Sequence, residues 1–316
     1  MIGVVGAGAF GTALAVALAR DGRQVVLWAR DPAKVAEIGH SRRNEVRLPG
    51  VTLPQNVTVT AEIADLAGAD ALLLSVPMQA LGGFLAEAGA SVSAGWLVAC
   101  CKGVDLTTLT GPAALIAAAR PGAHVAVLTG PSFAADIARG LPTALTLAGG
   151  DAGLQRLLST PVLRLYLSDD VAGAELGGAL KNVVAIAAGV VMGAGLGDSA
   201  RAALMTRGYA EMQRLAPALG ARPETLAGLS GFGDLVLTCT SAQSRNFRFG
   251  LALGSGKGFD PSVTVEGAAT AKAVTNMARK LGIDMPVTTM VAALIDRQIT
   301  LPEAISALLT RPLKQE

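Results

Sequence analysis

The 316-residue chain has little charge (16% Asp, Glu, Lys and Arg), few aromatics (3%), two histidines and three cysteines. Each shortage excludes something. With His and Cys this few and this scattered, no metal site is legible. Cys100 and Cys101 are adjacent and Cys239 is odd, so no disulfide framework is expected and the thiols are read as reduced. The longest basic block is Arg42-Arg43 and the formal net charge is +2, which argues against a nucleic-acid surface. The 38 glycines come with only 15 prolines and no triplet period, so they mark neither collagen nor a low-complexity linker. Long apolar runs are missing as well. The longest charge-free one, 183–197, has 15 residues including four glycines, against about 20 for a bilayer span. The chain enters an apolar stretch at once, Ile2-Gly3-Val4-Val5, with no basic region before it and no small-residue cleavage site, so no signal peptide is read and a cytoplasmic protein is expected.

What the chain does have is aliphatic and small side chains: 51% is hydrophobic, with a mean hydropathy of +0.49. Such a length exceeds what one core usually serves, so two domains are expected. Short aliphatic runs at 2–5, 25–28, 57–60, 71–76, 96–99, 125–128 and 143–147 alternate with Ala-rich stretches. Continuous apolar strands are buried on both faces, which predicts an α/β fold with a Rossmann-like, doubly wound parallel sheet. From about residue 170 the rhythm changes to long helices at 172–191, 200–219, 265–281, 285–296 and 301–309, an all-α half. The polar cluster Ser168-Asp169-Asp170 places the boundary, giving domains 1–170 and 171–316. The many apolar helices of the second half suggest a homodimer.

Gly6-Ala7-Gly8-Ala9-Phe10-Gly11 follows the first strand and opens a helix that leads to a second strand, all within about 30 residues. A glycine pattern alone is weak; in this context it reads as a dinucleotide loop. Gly6 permits the tight turn, Gly8 lets the backbone approach a pyrophosphate, Gly11 allows close helix–strand packing, and the helix N-terminus favours the anion. An acidic residue for the adenosine ribose belongs at the tip of the second strand. The sequence there is Ala29-Arg30-Asp31. A guanidinium can pair with a 2′-phosphate, so Arg30 favours NADP, with NAD as the alternative. Asp31 sits one residue late, where it can equally cap the helix that starts with Pro32.

Between Glu175 and Asp198 the sole charged residue is Lys181. Burial would lower its pKa and make it a proton donor or acceptor near neutrality; an edge position or an ion pair is the plainer reading of a lone lysine. Lys102-Gly103 and Gly130-Pro131-Ser132 follow two predicted strands at the carboxyl edge, where open α/β sheets bind ligands. In the helical half, Gly233-Asp234 and the run from Thr238 to Ser244-Arg245-Asn246 form a hydroxyl, guanidinium and amide patch suited to a phosphate. Ser244 can equally be a helix cap. Val265-Glu266-Gly267 carries one carboxylate, which either touches a cofactor or begins a helix.

Taken in order, the glycine loop, Ser75-Val76-Pro77, Lys102-Gly103, Thr129-Gly130-Pro131-Ser132-Phe133-Ala134, Leu176-Gly177-Gly178-Ala179-Leu180-Lys181-Asn182-Val183, Gly233-Asp234-Leu235, Ser244-Arg245-Asn246 and Val265-Glu266-Gly267 resemble bacterial NAD(P)-dependent glycerol-3-phosphate dehydrogenase. The resemblance covers nearly the whole chain. It implies reversible reduction of dihydroxyacetone phosphate, a triose phosphate, to sn-glycerol 3-phosphate for phospholipid synthesis. It implies Lys181 as the general acid/base, with Lys102, Gly130, Ser132, Asp234, Ser244, Arg245 and Asn246 around the substrate. The cofactor would then touch Gly6, Gly8, Ala9, Phe10, Gly11, Arg30, Lys102, Ala134, Arg245, Val265 and Glu266. The chain departs from the family pattern at Ala9 and Ser199, where Ser and Asn are expected, and at Arg47, where an aromatic is common.

Overall fold

The computed structural model describes residues 1–88 and 94–309. Strand β1 (Ile2–Val5) is aliphatic and buried along its whole length. It turns through the glycine loop into α1 (Ala9–Arg20), which is Ala/Leu-rich, buried from Gly11 to Ala19, and stopped at Asp21-Gly22, where Gly22 takes φ +86°. Next come β2 (Val25–Trp28), α2 (Pro32–Ser41), β3 (Val57–Thr60), β4 (Ala69–Leu74) and α3 (Met78–Ala88). The chain continues as β5 (Ala94–Ala99), α4 (Pro112–Ala119), β6 (His124–Thr129), α5 (Ala134–Arg139), β7 (Thr143–Ala148), α6 (Ala152–Leu158) and β8 (Leu163–Ser168). These strands form one sheet in the order β3-β2-β1-β4-β5-β6-β7-β8. The order reverses between β1 and β4, which opens a crevice at their carboxyl ends. A Cβ on Gly6 would lie 2.8 Å from the Ser75 carbonyl oxygen, so the loops leaving β1 and β4 touch at that crevice.

The sheet differs from the expectation in three ways. It is not wholly parallel, because β7 runs antiparallel to β6. The segment between them carries the six-residue α5 and turns at the carboxyl edge, whereas the next one, with the seven-residue α6, crosses back so that β8 pairs with β7 in parallel. β4 starts two residues earlier than its apolar run, leaving Ser75 and Val76 in the loop. The eighth strand was not expected at all. In its Leu-Arg-Leu-Tyr-Leu-Ser run Leu163 and Leu165 are buried and Arg164, Tyr166 and Leu167 exposed, as suits an edge strand.

Helix α7 (Val171–Gly193) opens the second half with Asp170 as its N-cap, accepting from the Gly173 amide. It is followed by α8 (Gly197–Leu215), α9 (Pro223–Leu226), α10 (Asp234–Cys239), α11 (Arg245–Gly254), α12 (Glu266–Leu281), α13 (Pro286–Ile295) and α14 (Leu301–Leu309). The helix expected over 200–219 stops at Leu215, and Pro217–Leu219 is a separate 3-10 turn because proline removes an amide donor. Among the described residues no strand follows β8. α7 is long and apolar enough to cross a membrane by length and composition, yet 89% of its apolar window is buried inside the protein.

Many glycines are explained at the crossing of α7 and α11. A Cβ on Gly189 would lie 2.1 Å from the Phe247 carbonyl oxygen, and one on Gly193 2.3 Å from that of Leu251. The reverse holds for Gly250 against Ile186 O at 2.0 Å and Gly254 against Val190 O at 2.2 Å. Two glycine pairs, each spaced four apart, bring the helix backbones into direct contact. Where aromatics are few, this replaces bulky side chains as the means of filling the helical core.

Candidate functional site

The chemistry gathers where α7 meets the carboxyl edge of the sheet. Lys181, on α7, donates to Asp234 Oδ1 at 2.6 Å and to Thr238 Oγ1 at 2.9 Å. Lys102, in the loop after β5, donates to Asp234 Oδ2 at 2.7 Å and to the Gly130 carbonyl at 3.2 Å. Asp234 thus bridges two ammonium groups from different halves of the molecule, and its own side chain is wholly buried. One carboxylate between two cations leaves a formal charge of +1, suited to an anion or a developing oxyanion.

Burial lowers the Lys181 pKa to about 8; the Asp234 carboxylate opposes the shift and the nearby Lys102 ammonium reinforces it. Such an ammonium exchanges its proton near neutrality. Gly178, one turn before Lys181, is required by crowding: a Cβ there would lie 2.8 Å from Thr129 Oγ1 and 3.5 Å from Lys102 Cγ. Gly130 takes φ +139°, a conformation that glycine adopts without strain, and its carbonyl also accepts from Ser132 Oγ at 3.3 Å.

The Ser-Arg-Asn segment is partly structural. Ser244 Oγ caps α11 by accepting from the Phe247 amide. Asn246 donates to Asn182 Oδ1 at 2.9 Å and accepts from the Gly267 amide at 3.0 Å, tying α11 to α7 and α12. Arg245 is exposed, within electrostatic reach of Glu266. Val265 is the N-cap residue of α12 and Glu266 its first residue; burial pushes the Glu266 carboxyl up, with Arg245, Lys102, Lys181 and, least, the Met78 backbone amide opposing.

At the other end of the crevice, Gly8 is the N-cap residue of α1, no side chain caps that terminus, and a Cβ on Gly8 would meet nothing within 4 Å. Gly11 has no such room, since its Cβ would lie 2.1 Å from the Gly6 carbonyl oxygen. Ala9 and Phe10 form the first turn of α1, and Phe10 packs on the sheet core. Ala134 begins α5. Arg30 is exposed just beyond β2, and its guanidinium has no hydrogen bond or ion pair to any described residue. Asp31 caps α2, accepting from the Ala33 and Lys34 amides. An open, uncapped helix N-terminus beside a free guanidinium fits a phosphorylated dinucleotide.

Two residues at the site stand in roles that the sequence reading did not give them: Thr238, read as part of a phosphate patch, accepts from Lys181, and Glu175 had no role. Thr238 lies one turn after Asp234, so its i+4 spacing on a helix was a usable signal. Glu175 lines a narrow crevice with Lys102, Thr129 and Gly178, and it accepts from the Ala113 amide at 2.7 Å. Burial pushes its carboxyl up to about 7, with that amide opposing.

A dinucleotide crevice joined to a buried lysine–carboxylate–lysine cluster defines a two-domain, NAD(P)-linked oxidoreductase. Comparison with known proteins makes this particular. Residues 1–154 match the model of the NAD-dependent glycerol-3-phosphate dehydrogenase N-terminus, and residues 170–306 that of its C-terminus. The chain is 65% identical to glycerol-3-phosphate dehydrogenase [NAD(P)+] of Cereibacter sphaeroides, with 100% of both chains covered. It is 62% identical to that of Paracoccus denitrificans, over 100% of this chain and 99% of the relative. The crystal structure of glycerol-3-phosphate dehydrogenase from Coxiella burnetii superposes with a TM-score of 0.92 at 37% identity, covering 98% of each chain. The chain belongs to the NAD(P)-dependent glycerol-3-phosphate dehydrogenase family.

Proposed function

We propose that the protein catalyses the reaction of its family, reversible reduction of dihydroxyacetone phosphate to sn-glycerol 3-phosphate by NAD(P)H, with Lys181 as the general acid. The observation that carries the lysine assignment is the buried Lys181–Asp234–Lys102 cluster at the meeting of the two halves. Bound NAD(P)H supplies the hydride for the ketone carbon. The protein's part is charge and proton. Lys181, with its pKa brought to about 8, protonates the oxygen that becomes the new hydroxyl. Lys102 holds positive charge beside it, and Asp234 keeps both ammoniums in place. In the reverse direction neutral Lys181 takes the hydroxyl proton.

Residues 1–170 would hold the dinucleotide and 171–316 the substrate. Arg245 is free to pair with the substrate phosphate, assisted by the hydroxyl hydrogen of Ser244, by the unused amide hydrogen of Asn246 and by the Ser132 hydroxyl once it turns from the Gly130 carbonyl. Arg30 would pair with a 2′-phosphate, favouring NADP over NAD. The large apolar side chains Leu196, Phe232 and Val236 stand exposed in the helical half, which supports a homodimer. All three cysteines are free and buried, which supports work in the reducing cytoplasm, where the product would feed phospholipid synthesis.

The test is a steady-state assay of NADPH oxidation dependent on dihydroxyacetone phosphate, run beside Lys181→Ala. Substrate-dependent oxidation in the wild type, lost in the variant while NADPH still binds, supports the reading. Full turnover in the variant removes the lysine from the chemistry.

A further inference from the structure

The loop between α2 and β3 reaches back onto the glycine loop. Its Asn44 is buried, and the side-chain nitrogen donates to the Ala7 carbonyl at 2.9 Å and to Thr12 Oγ1 at 2.9 Å. Asn44 is itself held in a built turn. Its own carbonyl accepts from the amides of Arg47 and Leu48, the isolated bridge between Arg43 and Thr52 closes the loop, and Leu48, Val51 and Leu53 are buried in the core that contains α1. The anchor is therefore fixed before any ligand arrives.

Its consequence follows from peptide geometry. In a trans peptide the carbonyl of one residue and the amide N–H of the next point in opposite directions, and the chain has no cis bond among the described residues. With the Ala7 carbonyl drawn inward to Asn44, the Gly8 N–H must face the other way. That amide donates to no described residue, and the space beside Gly8 is open. Without the Asn44 donor, the inward carbonyl would lose its partner and the peptide between Ala7 and Gly8 could rotate.

Resting on the dinucleotide-binding reading, we propose that Asn44 is a positioning residue for the anion cradle, holding the Ala7 carbonyl so that the Gly8 amide faces the pyrophosphate of the bound cofactor. Thr12 takes the second hydrogen of the same amide group and serves the loop's stability.

The experiment titrates the ligand-free protein with NADPH by nucleotide fluorescence, and with adenosine 2′-monophosphate, which lacks a pyrophosphate, by calorimetry. Asn44→Ala and the isosteric Asn44→Asp are expected to weaken NADPH about 10- to 100-fold, the worth of one hydrogen bond to a charged group, and to leave adenosine 2′-monophosphate within about twofold. The Asp variant keeps the side-chain volume while removing the donor, and Tm measured on each variant separates a folding defect from the loss of this one bond. Thr12→Val, which leaves the Ala7 bond intact, is expected to lower Tm and keep NADPH affinity. Unchanged NADPH affinity in both Asn44 variants, equal weakening of both ligands, or a loss in Thr12→Val as large as in Asn44→Ala overturns the proposal. Failure of the wild type to bind NADPH would instead sink the dinucleotide reading itself.

Discussion

Asp234 accepts from Lys181 at 2.6 Å across 53 residues of sequence, in a place where no part of its side chain reaches solvent. A buried cation that loses its counter-charge is strongly disfavoured. Asp234→Asn should therefore push the Lys181 pKa below its value of about 8, so that less ammonium remains at neutral pH. The expected result is a kcat lowered about 10²-fold, within the range of acid–base catalysis, with the high-pH limb of the reduction profile moved to lower pH. A pH–rate profile of the variant checks both, and a limb that stays in place would detach Asp234 from the titrating group.

In the wild type the sign of that limb is fixed by chemistry. Reduction needs the ammonium form of Lys181, so kcat for dihydroxyacetone phosphate should be level at lower pH and fall as pH rises through about 8. Oxidation of glycerol 3-phosphate needs the free amine and should rise over the same interval. Lys181→Ala should remove both limbs, with kcat lower by about 10²- to 10⁴-fold and the NADPH Kd within about twofold. Parallel profiles in the two directions make the measurement.

The sequence disclosed those features that depend on near neighbours. The first three strands, the glycine loop and the five long helices expected in the second half follow from periodicity and breakers and lie at or near their expected places, whereas the shorter α9, α10 and α11 were not among them. Lys181 stood out because its helix is otherwise apolar. Lys102 and Asp234 were candidates in their own right, but their meeting with Lys181 was not readable, because Asp234 and Thr238 come from α10 and Lys102 from the loop after β5, and no local spacing encodes such a meeting. Asn44 was silent for the same reason, lying 37 residues from the carbonyl it holds. β8 escaped notice because an edge strand mixes exposed with buried positions instead of running continuously apolar, and the reversal at β7 leaves no local mark, since a helix of similar length serves the parallel connection to β8.

Arg30 offers an independent test of cofactor choice. It is exposed past the end of β2 and has no partner among the described residues, while Asp31 is occupied as the cap of α2. A guanidinium hydrogen-bonded to phosphate is worth about 1.5–3 kcal/mol, or roughly 10- to 100-fold in affinity. Arg30→Ala should lower kcat/KM for NADPH by that factor and leave the value for NADH nearly unchanged. An unaltered NADPH/NADH ratio would show that the 2′-phosphate is not read at this strand tip.

The glycine contact between α7 and α11 predicts a stability effect with a functional consequence. A Cβ on Gly250 would stand 2.0 Å from the Ile186 carbonyl oxygen and 2.9 Å from the Val190 amide nitrogen. Both atoms belong to helix backbone, so neither can swing aside as a side-chain tip would. Gly250→Ala gains helix propensity of about 1 kcal/mol, yet the overlap can be relieved only by separating the helices, at about 1–3 kcal/mol or more. Separation would also strain the bond from Asn246 to Asn182, which joins the same two helices at the residue next to Lys181. The expected outcome is a lower Tm together with a reduced kcat. Gly256→Ala, placed just after α11 where a Cβ meets nothing within 4 Å but φ is +67°, should lower Tm modestly and leave kcat alone. Thermal melts and steady-state rates on the pair separate helix contact from backbone strain, and a Gly250→Ala protein as stable and active as the wild type would mean the two helices tolerate a wider spacing.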